Sequence, residues 1–425
     1  MNERIELLPG VYLRVVNADK FKTACFSINF LQPLTRQTAP RNALLPSVLL
    51  RGTRRYPGIR QISEHLDDLY GASFGTLVRK KGDIVTWGFF ADFIEDQFTP
   101  DGSRIFGAMA DFLRQILFDP CLDENGCFRA DFVDGEKQNL INAIESRIND
   151  KRSYAVTQML AAMCEDEPYG VPRLGDVETT AAVTPDDLMA FYRESLQSAP
   201  VEIFYMGRAD GNTVAAYMRN ALSDLRSRCV SPVGYRPMSG VPAVRYLDEA
   251  LDVTQGKLCI GLRTNCNGAD PAAFSALQML NTIFGSGINS KLFLHVREEL
   301  SLCYYASSSI ERFKGIMLIS SGIAFDQYET ARDEILGQLD ACRRGEITYE
   351  ELETARMYLL SGYKASLDAP GRIDDFYLGQ TLCDDTTTIE QRMQLLQDVT
   401  KQDVIAAANR IALDTVYFLK GAEHE

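Results

Sequence analysis

Histidine, a common catalytic base and metal ligand, is scarce in this 425-residue chain. The sequence has only three histidines, His65, His295 and His424, and its ten cysteines stand singly, with none in a Cys-x-x-Cys pair. Hydrolysis by zinc needs three protein ligands, an open position for water and a carboxylate that takes the water's proton. Chemistry based on a histidine cluster is therefore nearly excluded by composition alone.

One segment, "QISEH" at 61–65, comes close to a zinc-binding helix pattern. Its first position is Gln61, which is a very poor zinc ligand, and no set of further ligands accompanies it. We therefore interpret the Glu64–His65 step as an exposed part of an amphipathic helix predicted at "IRQISEHLDDLY".

The composition excludes several classes of protein. The chain has 58 acidic and 44 basic residues and a net charge of -14, whereas phosphate binding needs a positive surface. The N-terminus lacks the basic and apolar regions of a secretory signal, and no apolar run is long enough to cross a bilayer. Cysteines that stand singly in apolar patterns indicate buried, reduced thiols. We expect a cytoplasmic protein that binds neither nucleic acid nor membranes.

An internal repeat gives the organisation of the chain. At an offset of 233 residues, similar residues coincide in the two halves: Leu44 and Leu277, Leu50 and Ile283, Gly52 and Gly285, Lys81-Gly82 and Lys314-Gly315, Ala91 and Ala324. The order of the predicted elements also repeats, with two helices followed by two strands that a Lys-Gly turn joins. Alternating strands around such a turn favour antiparallel hairpins.

Helix-capping signals extend the repeat. "VTPDDLMAFY" at 183–192 and "VTKQDVIAAA" at 399–408 each place a Thr before early acidic residues, and Thr348 with Glu351 fits a capping box. We predict an α+β fold with two similar domains at 1–226 and 243–425. Pro, Gly and Ser cluster at 227–242, which we predict to be the linker.

Several spaced motifs resemble the M16 family of zinc metallopeptidases, which includes pitrilysin, insulinase and the mitochondrial processing peptidase. The motifs are "RGTRRYP" (51–57), "PYGVPRLGDVETTAAVTPDDLMAFY" (168–192) and "NSKLFLHVREELSLCYYASSS" (289–309). "DVTQGKLCIGLRT" is similar to a bacterial, YfmF-like branch of this family. The resemblance implies the LuxS/MPP-like metallohydrolase fold, in which each domain is an antiparallel-rich mixed sheet packed with helices.

The resemblance also shows which chemistry is missing. Zinc-bearing members carry His-x-x-Glu-His on the helix that runs into the "GT…YP" segment, and these three positions correspond to Ala43, Pro46 and Ser47 here. A third ligand, a Glu on a later helix, corresponds to Ala143, although the segment keeps Glu136. The resemblance therefore implies a chain without zinc, without a cofactor and without catalytic residues.

Two residues of the second half match the family's substrate-binding positions. In active members, an Arg and a Tyr in "RE..GLAY" hold the substrate backbone near the scissile bond, and they correspond to Arg297 and Tyr304. An Arg offers a fixed fork of donors, and a Tyr hydroxyl can support a developing oxyanion. The family's Gly between them is Ser301 here. Alternatively, Arg297 is a surface residue in a salt bridge and Tyr304 a core residue.

The resemblance implies a non-catalytic, substrate-binding subunit of an M16-type peptidase, which pairs with a homologous zinc-bearing subunit around a peptide-binding chamber. The alternative is a catalytically dead scaffold or peptide-binding protein, a homodimer without a protease partner. A third hypothesis, an active enzyme with unrecognised ligands, requires one tightly bound zinc ion per chain.

Overall fold

The computed structural model describes residues 4–225, 228–236, 241, 243–266 and 268–422. His424 and parts of the predicted linker 227–242 lie outside these described residues. The chain divides into two compact units, Met1–Glu145 with Val171–Gly234, and Ser146–Gly170 with Tyr235–Glu425. This grouping assigns Ser146–Gly170 to the second unit, whereas the sequence division runs the first domain to residue 226. The predicted boundaries themselves stay a prediction.

The first unit is built on a mixed sheet. Its strands are β1 (Arg4–Leu8), β2 (Val11–Asn17), β3 (Thr23–Pro33), β4 (Ser73–Lys81), β5 (Ile84–Ile94) and β6 (Val201–Gly207). Within the described residues these strands follow the order β1-β2-β6-β3-β5-β4. β2 and β6 run parallel, and the other neighbours are antiparallel. β4 therefore forms one edge of this sheet.

The second unit repeats this topology. Its strands are β7 (Arg245–Leu251), β8 (Gly256–Arg263), β9 (Cys303–Glu311), β10 (Ile316–Ile323) and β11 (Ala412–Gly421), in the order β7-β11-β8-β10-β9. β7 and β11 run parallel, and the remaining pairs are antiparallel. Apart from β1, each strand of the first sheet has a counterpart in the second. The prediction of two similar α+β domains with antiparallel-rich mixed sheets is confirmed.

Helices pack on both sheets. The first eight are α1 (Thr38–Leu49), α2 (Ile59–Asp68), α3 (Ile105–Phe118), α4 (Ala130–Glu145), α5 (Lys151–Met163), α6 (Val177–Ala181), α7 (Pro185–Ser198) and α8 (Gly211–Ala221). Those that follow are α9 (Pro271–Asn281), α10 (Tyr328–Arg343), α11 (Tyr349–Ser366), α12 (Pro370–Leu382), α13 (Ile389–Asp398) and α14 (Lys401–Arg410). Two further segments, Thr282–Ser286 and Leu292–Glu299, are π-helical. No helix in the described ranges combines the length and apolar character needed to cross a bilayer.

Local sequence signals explain where these elements begin and turn. The hairpins β4–β5 and β9–β10 turn at Gly82 and Gly315, whose φ angles of 58° and 62° suit a residue without a Cβ atom. Thr184, Thr348 and Thr400 each accept a hydrogen bond from the third residue of their helix and complete a capping box. The predicted hairpins and these caps are confirmed.

Both faces of β8, a central strand of the second sheet, are buried. Along β8, Leu258 and Ile260 pack with α9 and α10 in one apolar cluster, while Cys259 belongs to another with Met159 and Met163 of α5. Successive side chains of a strand point to opposite faces, so α5 covers the face that the later helices leave open. The continuous apolar run of β8 follows from this double coverage.

Candidate functional site

In the first unit, α1 is the helix to which the resemblance assigns the zinc motif. At its start, the Thr35 and Thr38 side chains accept hydrogen bonds from each other's backbone N–H at 3.0 and 2.9 Å. Ala43 and Ser47 are four residues apart and share one helix face. Ala43 is buried in the apolar core and Ser47 is half-buried. This face presents a methyl and a hydroxyl group, neither of which replaces an imidazole ligand.

Pro46 lies in the interior of α1, where the resemblance places the catalytic Glu. It is buried, and its nitrogen has no hydrogen to donate to the Asn42 carbonyl one turn earlier. The Asn42 side chain is also fully buried. Its amide donates to the Thr38 carbonyl at 2.7 Å, while its Oδ1 has no hydrogen-bond partner. No carboxylate occupies this turn of the helix.

The third ligand position, Ala143, lies exposed near the end of α4. Glu136, which the segment retains, forms an ion pair with Arg51 at 3.2 Å, and Arg51 precedes the Gly of the "GT…YP" segment. Glu136 therefore ties α4 to the end of α1. The retained carboxylate therefore has an arginine as its partner.

The "QISEH" segment lies on α2, as the sequence predicts. Glu64 is exposed and pairs with Arg60 at 2.8 Å. His65 is half-buried and stacks on Tyr56, with ring centroids 4.5 Å apart. Burial, with a smaller contribution from the Arg55 charge, lowers the pKa of His65 below its ordinary value. His65 is thus neutral at pH 7, and its ring packs against Tyr56 and Phe112. Within the described residues, no three His, Cys, Asp or Glu side chains form a group that could hold a metal ion.

In the second unit, Arg297 lies on the π-helical segment Leu292–Glu299. Its side chain is 40% exposed and rests over the Phe293 ring at 4.7 Å from the centroid. Among the described residues, its one ion pair is a 3.4 Å contact with the adjacent Glu298. His295 on the same segment lies 2.7 Å from Glu299. π-helical turns are rare and occur frequently at functional sites.

Tyr304 is the second residue of β9, the edge strand of the second sheet. It is 71% exposed and therefore not a core residue, whereas Arg297 is a partly exposed residue with an ion pair, as the alternative interpretation has it. Its neighbour Cys303 is buried, and burial raises the pKa of that thiol, which keeps it protonated at neutral pH. Tyr304 thus presents a free phenol at a sheet edge, in the strand that follows the Arg297 segment.

Ser301 joins the Arg297 segment to β9 in a strained conformation. Its φ of 52° lies in the left-handed region that favours glycine, the residue that the family pattern has at this position. The Leu302 N–H donates to the Val296 carbonyl at 3.0 Å, which closes the turn. The backbone geometry expected of a glycine is therefore kept even though the glycine has been replaced.

The fold and these positions define a two-domain metallohydrolase architecture in which Ala43, Pro46 and Ser47 occupy the positions that the resemblance assigns to the zinc motif. Residues 182–359 match the sequence model of the family described as "Peptidase M16 inactive domain". The chain is 31% identical over 414 residues to the "Probable inactive metalloprotease YmfF" of Bacillus subtilis (strain 168), covering 97% of this chain and 96% of that protein. The chain therefore belongs to the M16 peptidase family, in its inactive, YmfF-like branch.

Solved structures agree with this assignment. A conserved protein from Enterococcus faecalis V583 superposes with a TM-score of 0.92 at 30% identity and covers 100% of both chains. A peptidase M16 inactive domain from Pseudomonas fluorescens superposes with a TM-score of 0.80 at 17% identity, over 100% of this chain and 99% of the other. Because its identity is low, this second structure supports only the assignment of the fold.

Proposed function

We propose that the protein is a non-catalytic, substrate-binding subunit of an M16-type zinc peptidase. In this proposal a homologous zinc-bearing chain supplies the metal and the base, and this chain supplies Arg297 and Tyr304. The two subunits surround a peptide-binding chamber. The observation that carries the proposal is the asymmetry between the two halves, because every zinc position has lost its chemistry while Arg297 and Tyr304 remain and are accessible.

The environment of the pair supports this role. Arg263 in the same unit shows the contacts of an Arg that serves the fold, because it is buried and donates to two carboxylates, those of Asp414 and Glu167. Arg297 instead makes one long contact with its neighbour Glu298 and stays partly open to solvent. A guanidinium in this state can bind a peptide carbonyl or a terminal carboxylate without first breaking a strong ion pair.

The edge strand β9 offers a way to hold the peptide. Among the described strands, β9 is hydrogen-bonded only to β10, so its other side can accept an added strand. In our proposal, the substrate pairs with this edge in an extended conformation, and the Tyr304 hydroxyl lies beside its backbone. Hydrogen bonds between main chains bind peptides of many sequences, which fits a subunit that positions a substrate for its partner.

The proposal is tested with a zinc-bearing M16 homologue encoded by the same organism. The two chains are co-expressed, the complex is purified, and hydrolysis of quenched fluorescent peptides is measured for each chain alone and for the mixture. We expect activity only in the mixture. Tyr304→Phe should lower kcat about 100-fold, because removal of one oxyanion donor has an effect of this size. Arg297→Ala should mainly raise KM.

Two matched variants control for nonspecific damage. Tyr246→Phe changes an exposed tyrosine on β7, the opposite edge of the same sheet, and Arg344→Ala removes an exposed arginine paired with Glu346. Both should leave the activity of the mixture unchanged. A homodimer that binds peptides but forms no complex with the homologue would instead establish the scaffold hypothesis. We also place the protein in the cytoplasm, a proposal that fractionation of cells tests directly.

A further inference from the structure

The second unit contains a groove that the zinc and substrate positions do not explain. It lies between the first half of α11 and the segment 287–294 and has a volume of about 440 Å³. On the α11 side it is lined by Glu350, Thr354 and Tyr358, which recur every four residues on one helix face. Ile288 and Leu294 form the opposite wall.

The walls of the groove are unusually apolar for solvent-facing residues. Ile288 is 77% exposed, Tyr358 is 55% exposed, and Leu294 is also exposed. Tyr349 and Met357 are also exposed, but each precedes a lining residue by one position and so lies on a neighbouring face of α11, outside the groove. Contiguous apolar surface of this kind marks interaction sites, because exposing it to water costs free energy that binding recovers.

The charged residues that line the groove are all acidic. Its lining includes Glu350 and Glu351 but neither Lys nor Arg. The Glu351 carboxylate is already neutralised by the buried Lys291 at 2.8 Å and accepts a hydrogen bond from the Thr348 N–H at 2.7 Å. Glu350 is exposed and makes no ion pair within the described part of the chain. An unneutralised carboxylate at the rim of an apolar groove favours a cationic group beside an apolar one.

The length of the groove favours a stretch of polypeptide over a small molecule. Glu350 and Tyr358 are eight residues apart on α11, which corresponds to ~12 Å along the helix axis. This distance accommodates about three or four residues of an extended chain.

We propose that this groove binds a segment of another polypeptide that carries an apolar side chain next to a Lys or Arg. The apolar side chain inserts between Ile288 and Tyr358. The basic group pairs with the Glu350 carboxylate, and the face of the Tyr358 ring contributes a cation–π contact. The overall charge of -14 attracts basic segments and repels acidic ones at a distance.

The test uses the full chain and a phage-displayed library of short random linear peptides, followed by synthesis of the enriched sequences. We expect enriched peptides to combine Leu, Ile or Phe with adjacent Lys or Arg. Fluorescence anisotropy of the labelled peptides should show binding that weakens about tenfold or more in Ile288→Ser, Tyr358→Ala and Glu350→Gln. Replacement of the basic residues by Glu in the peptide should abolish binding.

Control variants separate the groove from general surface effects. Tyr349→Ala removes an exposed tyrosine of α11 that does not line the groove, and Glu390→Gln removes an exposed charge on α13. Both should bind the peptides with at most a small loss. Failure to enrich any peptide, enrichment of acidic peptides, or equal binding by the groove variants would each overturn the proposal. Because the assay needs neither a zinc-bearing homologue nor hydrolysis, its result is independent of the proposed pairing.

Discussion

Glu167 and Arg263 form an ion pair of 2.6 Å in which the two side chains are only 6% and 1% exposed. Arg263, at the end of β8, also donates to Asp414 at 2.8 Å, and Lys314 reaches the second Glu167 oxygen at 2.8 Å. Glu167 belongs to Ser146–Gly170, the segment that carries α5. This buried network therefore fastens that segment to the second sheet of its own unit.

The first prediction concerns the strength of this network. Glu167→Gln should lower the free energy of unfolding of the second unit by about 3 kcal/mol, because Arg263 and Lys314 would keep buried positive charges with one compensating carboxylate fewer. Urea denaturation followed by near-UV circular dichroism measures the change. Glu165→Gln is the control, since Glu165 is exposed and its 3.1 Å pair with Arg245 is worth at most about 1 kcal/mol. Equal losses in both variants would contradict the prediction.

The second prediction is that the stability of the protein depends on pH because the Glu167 carboxylate titrates. Burial alone would raise the pKa of Glu167, but the hydrogen bonds and charges of Lys314 and Arg263 outweigh it and hold the pKa below its ordinary value of 4.5. Because the folded pKa is the lower one, the stabilisation is complete above pH 4.5 and is lost as the pH falls towards the folded value.

The difference in free energy of unfolding between the wild type and Glu167→Gln should therefore be constant from pH 7 to about pH 5 and shrink below pH 4.5. Denaturation curves at a series of pH values measure it. A difference that stays constant down to pH 3 would show that the carboxylate does not titrate in this window. A difference that grows on acidification would contradict the sign of the shift.

The sequence predicts those features of this fold that depend on residues close together in the chain. Lys-Gly turns, capping boxes and the repeated order of elements are local signals, and each has its structural counterpart. The assignment of α5 is different, because the apolar residues Ala155, Met159 and Met163 identify a buried helix face but not the sheet that covers it. That information lies in the pairing of Glu167 with Arg263, residues 96 apart in the chain.

Prediction of the candidate site from sequence has the same limit, because contacts between distant residues are not visible in the sequence. The substituted zinc positions could be located from the "RGTRRYP" register, whereas the accessibility of Tyr304 depends on β9 being an edge strand. Neither π-helical segment was predicted, because one extra residue per turn leaves no clear mark on hydrophobic periodicity. The groove at Ile288 was missed because it depends on the packing of this segment beside α11, far along the chain, although an isolated Ile in "GSGINS" was a usable signal.

The third prediction follows from the backbone at Ser301. Ser301→Gly should raise the free energy of unfolding by about 0.5–1 kcal/mol, because relief of a left-handed conformation is worth ~1–2 kcal/mol and the added freedom of glycine in the unfolded chain offsets part of it. Thermal and urea denaturation measure the gain. Ser309→Gly, in the extended strand β9, is the control and should be destabilising. A loss of stability in Ser301→Gly would show that the Ser side chain makes contacts that matter more than the φ angle.

The fourth prediction concerns metal. Because the described residues contain no group of ligands, the purified chain should carry far less than one zinc ion, and a chelator should leave its melting temperature unchanged. Elemental analysis and thermal scans with and without EDTA measure both quantities. One zinc ion per chain that survives dialysis, or a melting temperature that EDTA lowers, would revive the hypothesis of an active enzyme with unrecognised ligands.

The fifth prediction uses the two prolines of α1, which are both buried but occupy different turns. Pro46 lies in the helix interior, where a Pro costs about 3 kcal/mol relative to Ala. Pro46→Ala restores the hydrogen bond to the Asn42 carbonyl and loses roughly 1–2 kcal/mol of apolar burial. We expect a net gain in the free energy of unfolding of about 1–2 kcal/mol.

Pro40 is the matched control, since it lies in the first turn, where backbone N–H groups lack partners within the helix. Pro40→Ala restores no helix hydrogen bond, yet it loses buried surface and the fixed φ angle, so it should lower the free energy of unfolding. The two variants are thus expected to change stability in opposite directions under urea denaturation. If both lower it, packing of the Pro46 ring outweighs the missing hydrogen bond. The Pro at the position that corresponds to the catalytic Glu would then be a net stabilising part of the core.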